Sequence, residues 1–165
     1  MNNFMVELIN YIKKHSNSRA MDTIVIHCSA TKENKDYTIE DIKKWHLQRG
    51  FNDVGYHFVV RLDGTIEIGR PLNKIGAHVA NNNIGSIGIC YIGGLSSNNK
   101  AKDTRTDKQK ESLTKLITLL KTFIPIKEIK GHRDYSKDLN NNGIIEPNEY
   151  MKDCPCFDVK KEYII

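Results

Sequence analysis

The chain has 165 residues, 39% of them hydrophobic and 27% charged, and a formal net charge of +5. These values are typical of one soluble globular domain, and no stretch approaches the roughly 18 apolar residues of a membrane span. The mild positive charge suits an anionic polymer, such as cell wall or nucleic acid, or simply a solvated basic surface. Because no dense basic block with interleaved aromatic residues occurs, we expect no nucleic-acid partner and no membrane partner.

The first 20 residues are predicted to form a helical extension that precedes the main domain. Phe4, Leu8, Ile9 and Ile12 recur at the helical period, so they share one helix face. That face either packs on the domain, which we favour, or binds a partner or a membrane surface. The N-terminus has no basic leader and its apolar run is broken, so we expect no secretory signal and synthesis in a cytoplasm.

Residues 21–165 are predicted to form a single α/β domain with a mixed central β-sheet flanked by helices. Apolar runs predict strands, and an Asp-Gly pair predicts a hairpin turn. The predicted strands are Thr23–Ser29, Tyr56–Arg61, Thr65–Gly69, Ser86–Ile92 and Ile126–Gly131. Two helices are predicted where Thr38 and Thr106 begin capping boxes, the first ending near Gly50 and the second at Pro125.

The four cysteines admit more than one interpretation. Cys28 and Cys90 lie within apolar strand-like runs, and we interpret both as buried small hydrophobic residues. A metal or core role is what we expect of cysteines in a cytoplasmic protein of this size. The alternative is a secreted protein with two disulfides, which a count of free thiols in the native protein would test.

Two histidines and one cysteine form a candidate zinc site. His27 ends an apolar run, His132 follows another, and Cys154 lies in the segment Lys152–Pro155. Two imidazoles and one thiolate leave the fourth tetrahedral position open, as in a catalytic zinc centre. Neighbouring side chains on a strand point to opposite faces, so Cys28 would point away from His27. Spacing alone does not decide the site, because a lone histidine at a strand end usually has a structural role.

Eight short segments occur in one order, and together they resemble the type 2 N-acetylmuramoyl-L-alanine amidases. That family includes small phage enzymes and the peptidoglycan recognition proteins. The segments are His27–Thr31, Trp45-His46, Asp53–Phe58, Asp63–Thr65, Gly76–His78, Ser86–Ile89, Gly131–Arg133 and Lys152–Asp158. The resemblance spans roughly Met21 to Val159 and leaves Met1–Ala20 without an assigned role.

The resemblance implies zinc held by His27, His132 and Cys154, with Tyr56 and Lys152 in the catalytic site. It implies hydrolysis of the amide that joins the lactyl group of N-acetylmuramic acid to L-alanine in peptidoglycan. Zinc lowers the pKa of a bound water to about 7 and polarises a carbonyl. Lys152 and the Tyr56 hydroxyl are suited to stabilise the oxyanion. Without the resemblance, Tyr56 would be interpreted as a core aromatic and Lys152 as a solvated lysine.

Residues near these motifs carry alternatives. His78 either lines the cleft and contacts substrate or is a polar loop histidine. Cys156, where the resembling phage enzymes carry a smaller polar residue, either competes for zinc or pairs with another thiol. His46 and His57 are expected to pack or to form hydrogen bonds.

The segment Asp138–Glu149 matches the EF-hand loop pattern at every specified position. Its predicted calcium ligands are Asp138, Asn140, Asn142, the carbonyl of Ile144, and Glu149. Only two of these ligands are anionic, and neither an entering helix nor a second loop is evident, which argues against strong binding. The alternative is an Asn-rich surface loop. We favour weak calcium binding that orders the stretch between His132 and Cys154.

The leading functional hypothesis is a monomeric, zinc-dependent peptidoglycan amidase. The alternative is a non-catalytic peptidoglycan-binding module, although family members that only bind typically lack the cysteine ligand. A zinc nucleobase deaminase is disfavoured because its H-x-E and P-C-x-x-C signature is absent. Synthesis in a bacterial cytoplasm followed by action on the cell wall suits an antimicrobial phage endolysin or a secretion-system effector. A cytoplasmic wall-recycling enzyme stays open.

Overall fold

The computed structural model describes residues 3–164, and its regular elements alternate between strands and helices. The helices are α1 (Asn3–His15), α2 (Ile39–Gln48), α3 (Asp107–Phe123) and α4 (Val159–Glu162). The strands are β1 (Thr23–Cys28), β2 (Thr31–Lys32), β3 (Phe58–Val60), β4 (Ile66–Ile68), β5 (Ser86–Tyr91), β6 (Gly94–Leu95) and β7 (Glu128–Gly131). Two short 3₁₀ helices, His132–Tyr135 and Pro147–Glu149, lie between β7 and α4.

Five strands form the central sheet in the order β4-β3-β5-β1-β7. The strands β3, β5, β1 and β7 run parallel, and β4 pairs antiparallel with β3 as the predicted hairpin. The pair β2 and β6 forms a separate two-stranded parallel sheet. The prediction of an α/β domain with a mixed central sheet is therefore confirmed.

The core lies on both faces of this sheet. Because side chains alternate along a strand, Phe58 and Val60 join the larger hydrophobic cluster, whereas Val59 joins a smaller one with Cys90. The larger cluster packs β1, β5 and β7 against α1 and α3, and the smaller one lies under α2. Cys28 and Cys90 are buried, and all four cysteines are free thiols, as interpreted from the sequence.

Both long helices begin at the predicted capping boxes. The Thr38 hydroxyl accepts from the Asp41 backbone N–H, and the Asp41 carboxylate accepts from the Thr38 N–H. Thr106 and Gln109 make the equivalent pair at the start of α3. Such a cap satisfies backbone donors that the first helical turn leaves unpaired, so the local sequence fixes where each helix starts.

The predicted N-terminal helix packs on the domain. Leu8 and Ile12 of α1 are buried in the larger cluster, and the Tyr11 hydroxyl accepts a hydrogen bond from the Leu72 backbone N–H. Packing of this helix on the domain is the alternative that the sequence favours. That residues 1–20 form an extension separate from the domain stays a prediction. Across residues 3–164, no helix is long and apolar enough to cross a membrane.

Candidate metal centre

Three side chains from distant parts of the chain converge near one end of the parallel strands. His27 lies near the end of β1, His132 directly follows β7, and Cys154 lies in the loop before α4. Their ligand atoms all lie within 4.8 Å of one another. Within residues 3–164, no other set of three or more His, Cys, Asp or Glu side chains is grouped closely enough to hold a metal.

The distance between two of these ligand atoms is close to that expected around a tetrahedral ion. His27 Nδ1 lies 3.8 Å from Cys154 Sγ. Nitrogen and sulfur ligands at about 2.1 and 2.3 Å from a tetrahedral zinc would be about 3.6 Å apart. The rings of His27 and His132 are 4.9 Å apart between centroids and inclined at 71°. The predicted set of His27, His132 and Cys154 is thus brought together in an arrangement that could hold a metal.

The parallel pairing of β1 with β7 explains why the two histidines meet. Ile26 is in register with Gly131, so the residues that follow, His27 and His132, leave neighbouring strands at the same level. Gly131 also allows the cysteine loop to approach, because a Cβ atom there would lie 2.7 Å from Pro155 Cδ. The pairing of β1 with β7 therefore sets the spacing of the two imidazoles, and no metal is needed to bring them together.

Cys154 is held by hydrogen bonds from both neighbouring segments. The Cys28 backbone N–H donates to Cys154 Sγ at 3.3 Å, and the Arg133 N–H donates to the Cys154 carbonyl at 2.8 Å. The Tyr91 hydroxyl donates to the Pro155 carbonyl at 2.7 Å. These hydrogen bonds fix the position of the sulfur, which binds a metal as the thiolate.

Both histidines of the cluster are neutral at physiological pH. Burial lowers the pKa of His27 well below its ordinary value, and the neighbouring His78, His132 and Lys152 lower it further. The pKa of His132 is also lowered, first by burial and then by the charge of Lys152. Neutral imidazoles are the metal-binding form, so both side chains could act as ligands without first losing a proton.

The two predicted catalytic side chains lie beside this cluster. The Tyr56 ring lies 5.1 Å from the His27 ring between centroids, and burial raises the pKa of its hydroxyl, which therefore stays protonated. Lys152 is exposed, and its charge acts on both His27 and His132. The structure thus places all five predicted zinc and catalytic residues in one region.

His78 is a buried residue whose ring lies between His27 and Ser86. It is 8% exposed, and its two ring nitrogens lie 2.9 Å from His27 Nε2 and 3.2 Å from Ser86 Oγ. Burial lowers its pKa to about 3. A ring with both nitrogens occupied has no polar atom left for a ligand, so this placement argues against the predicted contact with substrate. Ser86 has no role predicted from the sequence, where its only signal is its place in the Ser86–Ile89 motif.

The remaining histidines and cysteines point away from the cluster. His46 Nδ1 accepts the Gly55 N–H, and His57 Nδ1 accepts the Gly88 N–H, so both form the expected hydrogen bonds. Cys156 Sγ lies 3.9 Å from Cys28 Sγ and 3.3 Å from the Gly94 carbonyl. Cys156 is therefore directed at Cys28 rather than at the candidate metal ligands.

The predicted calcium loop closes on itself through backbone donors. Asp138 accepts the N–H groups of Asn142 and Gly143, and the Asn142 side chain accepts the Ile144 N–H. Glu149 is 7% exposed, and its carboxylate accepts from residues at both ends of the loop, namely Leu139, Asn140 and Glu146. The five predicted calcium ligands thus lie in one compact loop, with Glu149 inside it.

The fold and this cluster define an α/β protein with a candidate mononuclear metal centre of two imidazoles and one thiol. The chain belongs to the N-acetylmuramoyl-L-alanine amidase family, which matches its residues 17–156. It is thereby a member of the type 2 amidases that the motifs of the sequence resemble, the family that also contains the peptidoglycan recognition proteins.

Individual relatives agree with this assignment. The endolysin of Klebsiella phage KP32 is 33% identical over 153 residues, which cover 93% of this chain and 89% of that protein. The endolysin of Escherichia phage T7 is 34% identical over 85% of this chain and 83% of its own length. Among solved structures, the endolysin amidase LysCS of Clostridium intestinale aligns with a TM-score of 0.67 and 29% identity, covering 89% of this chain and 86% of that chain. Drosophila PGRP-LB aligns with a TM-score of 0.64 and 27% identity, covering 87% and 79%.

Proposed function

We propose that this protein is a zinc-dependent amidase that hydrolyses the bond between N-acetylmuramic acid and L-alanine in peptidoglycan. The observation that carries the proposal is the convergence of His27, His132 and Cys154 beside the Tyr56 ring. Membership of the amidase family and likeness to phage endolysins support the choice of bond and polymer.

Zinc fits the donor set of this site. The ligands are two neutral imidazoles and a thiol whose sulfur accepts a backbone N–H, and zinc prefers nitrogen and sulfur ligands of this kind. Magnesium and calcium prefer carboxylates, and among the described residues no carboxylate belongs to this cluster. When bound, zinc supplies a Lewis acid that polarises the scissile carbonyl and acidifies a water molecule.

The protein side chains stabilise charge on the carbonyl oxygen. Tyr56 stays protonated because burial raises the pKa of its hydroxyl, so it donates a hydrogen bond to the developing oxyanion. Lys152 contributes a positive charge at the exposed side of the cluster.

A non-catalytic peptidoglycan-binding module is the second candidate. The likeness to recognition proteins supports it, and a PGRP-LB variant of Drosophila that aligns at 26% identity was solved in complex with tracheal cytotoxin. The presence of Cys154 beside both histidines favours catalysis over binding alone, because a binder needs no thiol directed at two imidazoles.

We further propose that the protein acts as a monomer on the bacterial cell wall, as an endolysin with antimicrobial effect. The match to phage endolysins along most of their length supports this role over a wall-recycling enzyme or a secreted effector. A calcium ion bound by Asp138–Glu149 is a separate proposal, supported by the sequence pattern and by the closed loop around Glu149. Its role is to order the segment that carries Lys152 and Cys154.

The experiment that tests the amidase is digestion of purified peptidoglycan, followed by mass spectrometry of the released products. We expect the zinc-loaded protein to release stem peptides that begin with a free L-alanine amine, and the chelated protein to release none. Polymer that stays intact while the protein sediments with it would refute the amidase and support the binding module.

A further inference from the structure

A buried chain of hydrogen bonds leads from the candidate metal cluster into the sheet. His27 Nε2 lies 2.9 Å from His78 Nδ1, and His78 Nε2 lies 3.2 Å from Ser86 Oγ. Ser86 Oγ in turn lies 2.9 Å from the Asn82 carbonyl and 3.0 Å from the Asn83 carbonyl. The three side chains that these hydrogen bonds connect are each less than a tenth exposed, namely His27, His78 and Ser86.

The His78 ring is confined on several sides. A Cβ atom added at Gly76 or at Gly88 would lie 2.5 Å from His78 Cδ2, so both positions leave the space that the ring fills. The Asn83 side chain accepts the backbone N–H groups of His78 and Val79 at 2.8 and 3.0 Å. The ring therefore has a fixed place behind His27, with no room to turn away.

When His27 binds a metal, only one placement of the ring and hydroxyl protons lets every hydrogen bond from His27 to Ser86 form. His27 Nδ1 is the nitrogen that faces Cys154, and a ligating nitrogen carries no proton. A neutral His27 then carries its proton at Nε2 and donates it to His78 Nδ1. His78, also neutral, carries its proton at Nε2 and donates it to Ser86, whose own hydroxyl proton goes to a backbone carbonyl.

We propose that His78 and Ser86 are positioning residues that hold His27 as its Nε2-H tautomer, with the Nδ1 lone pair directed at the metal. Metal-binding histidines usually donate their second nitrogen to a carboxylate, a carbonyl or water, and such partners set ligand orientation and affinity. Here the acceptor is a second histidine, His78, whose own proton is accepted by Ser86, and the Ser86 hydroxyl donates to a backbone carbonyl. This inference rests on the proposed zinc site.

The first test reads the proton positions in the wild-type protein without zinc. Two-dimensional NMR of the imidazole nitrogens in ¹⁵N-labelled protein distinguishes the two tautomers of each histidine. We expect Nε2-H for both His27 and His78 before metal is added. An Nδ1-H tautomer of His27 in the zinc-free protein would overturn the proposal, whatever the amidase assay shows.

The second test measures zinc affinity by competition with a chromogenic chelator. We expect His78→Leu to weaken zinc binding about 10–100-fold, the range typical of changes to such outer partners. His78→Gln, whose side-chain carbonyl can accept from His27, should recover most of this loss, and Ser86→Ala should weaken binding less than His78→Leu. His46→Gln is the matched control, since His46 is a buried histidine outside this series of hydrogen bonds and its Nδ1 accepts the Gly55 N–H, so its replacement should leave zinc affinity unchanged.

The outcomes separate this inference from its alternatives. A His78→Leu protein that keeps wild-type zinc affinity but has a raised KM would overturn the positioning role and restore the substrate contact. Equal loss in His78→Leu and His78→Gln would show that ring packing, rather than the accepted proton, is what matters, and would also overturn it. If the wild-type protein bound no zinc, the proposed function would fail, while the tautomers would still be measurable.

Discussion

The candidate zinc cluster and the Asp138–Glu149 loop obtain their ligands in different ways. The cluster joins residues as far apart as His27 and Cys154, which only the folded sheet brings to within 3.8 Å. The loop takes every predicted ligand from one continuous stretch, and its carboxylates already accept backbone N–H groups of the loop itself. The fold therefore imposes the first site, whereas local turns shape the second.

This difference has energetic consequences. The cluster contains two imidazoles whose pKa values are lowered by burial, together with a thiol. Because folding has already removed water from these groups, a bound cation would not have to displace that water itself. The loop exposes most of its ligands, and calcium there would compete with water and with existing hydrogen bonds. We expect large effects from changes to the cluster and small ones from changes to the loop.

The largest effect is expected from Cys154→Ser. This change removes the thiolate ligand, so zinc affinity should fall by more than the 10–100-fold that is typical of outer partners, and amidase activity should be lost. Cys156→Ser is the matched control, because Cys156 points at Cys28 rather than at the cluster. Chelator competition and zinc analysis measure both. Full zinc retention by Cys154→Ser, or loss by Cys156→Ser, would contradict the ligand assignment.

Tyr56→Phe should separate chemistry from metal binding. The change removes a hydroxyl donor and leaves the ring, so kcat should fall about 10²–10³-fold, the usual loss for one oxyanion donor. Zinc content should not change, because the proposed ligands are His27, His132 and Cys154. Steady-state kinetics with metal analysis check this. A variant with wild-type kcat would show that the Tyr56 hydroxyl has no part in catalysis.

Acid should destabilise the histidine-rich region specifically. Burial lowers the pKa of His57 to about 4, below its ordinary 6.5, so the unfolded chain binds a proton that the folded chain refuses. The resulting stability is fully present above pH 6.5 and is lost progressively as the pH falls from 6.5 to about 4. The loss from His57 is on the order of 3 kcal/mol.

Denaturant unfolding of the zinc-free protein at a series of pH values measures this loss. His57→Gln should make the dependence shallower by the share of His57, because glutamine does not titrate, while the lowered pKa values of His27, His78 and His132 maintain the rest. An equal slope in wild type and His57→Gln would show that the pKa of His57 is not what governs this loss.

Calcium should give the smallest effect. At ten times its dissociation constant, a ligand that binds only the folded state adds about 1.4 kcal/mol, which raises Tm by about 3–5 °C in a chain of this size. Thermal melting of wild type and Glu149→Gln with and without millimolar calcium measures the shift. No rise in wild type, or the same rise in Glu149→Gln, would refute calcium binding by this loop.

The sequence predicts the main elements of the fold because they carry local signals. The capping residues Thr38 and Thr106 start α2 and α3 where expected, and the apolar runs become β1, β3, β5 and β7. Two-residue strands such as β2 and β6 leave no periodicity to detect, and the single turn of α4 is equally short. These elements depend on neighbours that only the tertiary structure supplies.

The candidate site was predictable to a different degree at each residue. His27, His132 and Cys154 were found through the order of the family motifs, since their spacing alone did not distinguish them from structural residues. His78 was also found, but its direction was not, because a loop histidine turns inward only where Gly76 and Gly88 leave space for its ring. Cys156 likewise could not be placed from sequence, because a backbone φ of 71° sets its direction.

X-ray absorption spectroscopy of the zinc-loaded protein would test the central claim most directly, because it counts the atoms bound to the metal. We predict one sulfur at about 2.3 Å, with the remaining ligands being nitrogen or oxygen at about 2.0–2.1 Å. A zinc shell without sulfur would contradict the role of Cys154. Two or more sulfurs would mean that Cys28 or Cys156 closes the site, which would leave no open position for catalysis.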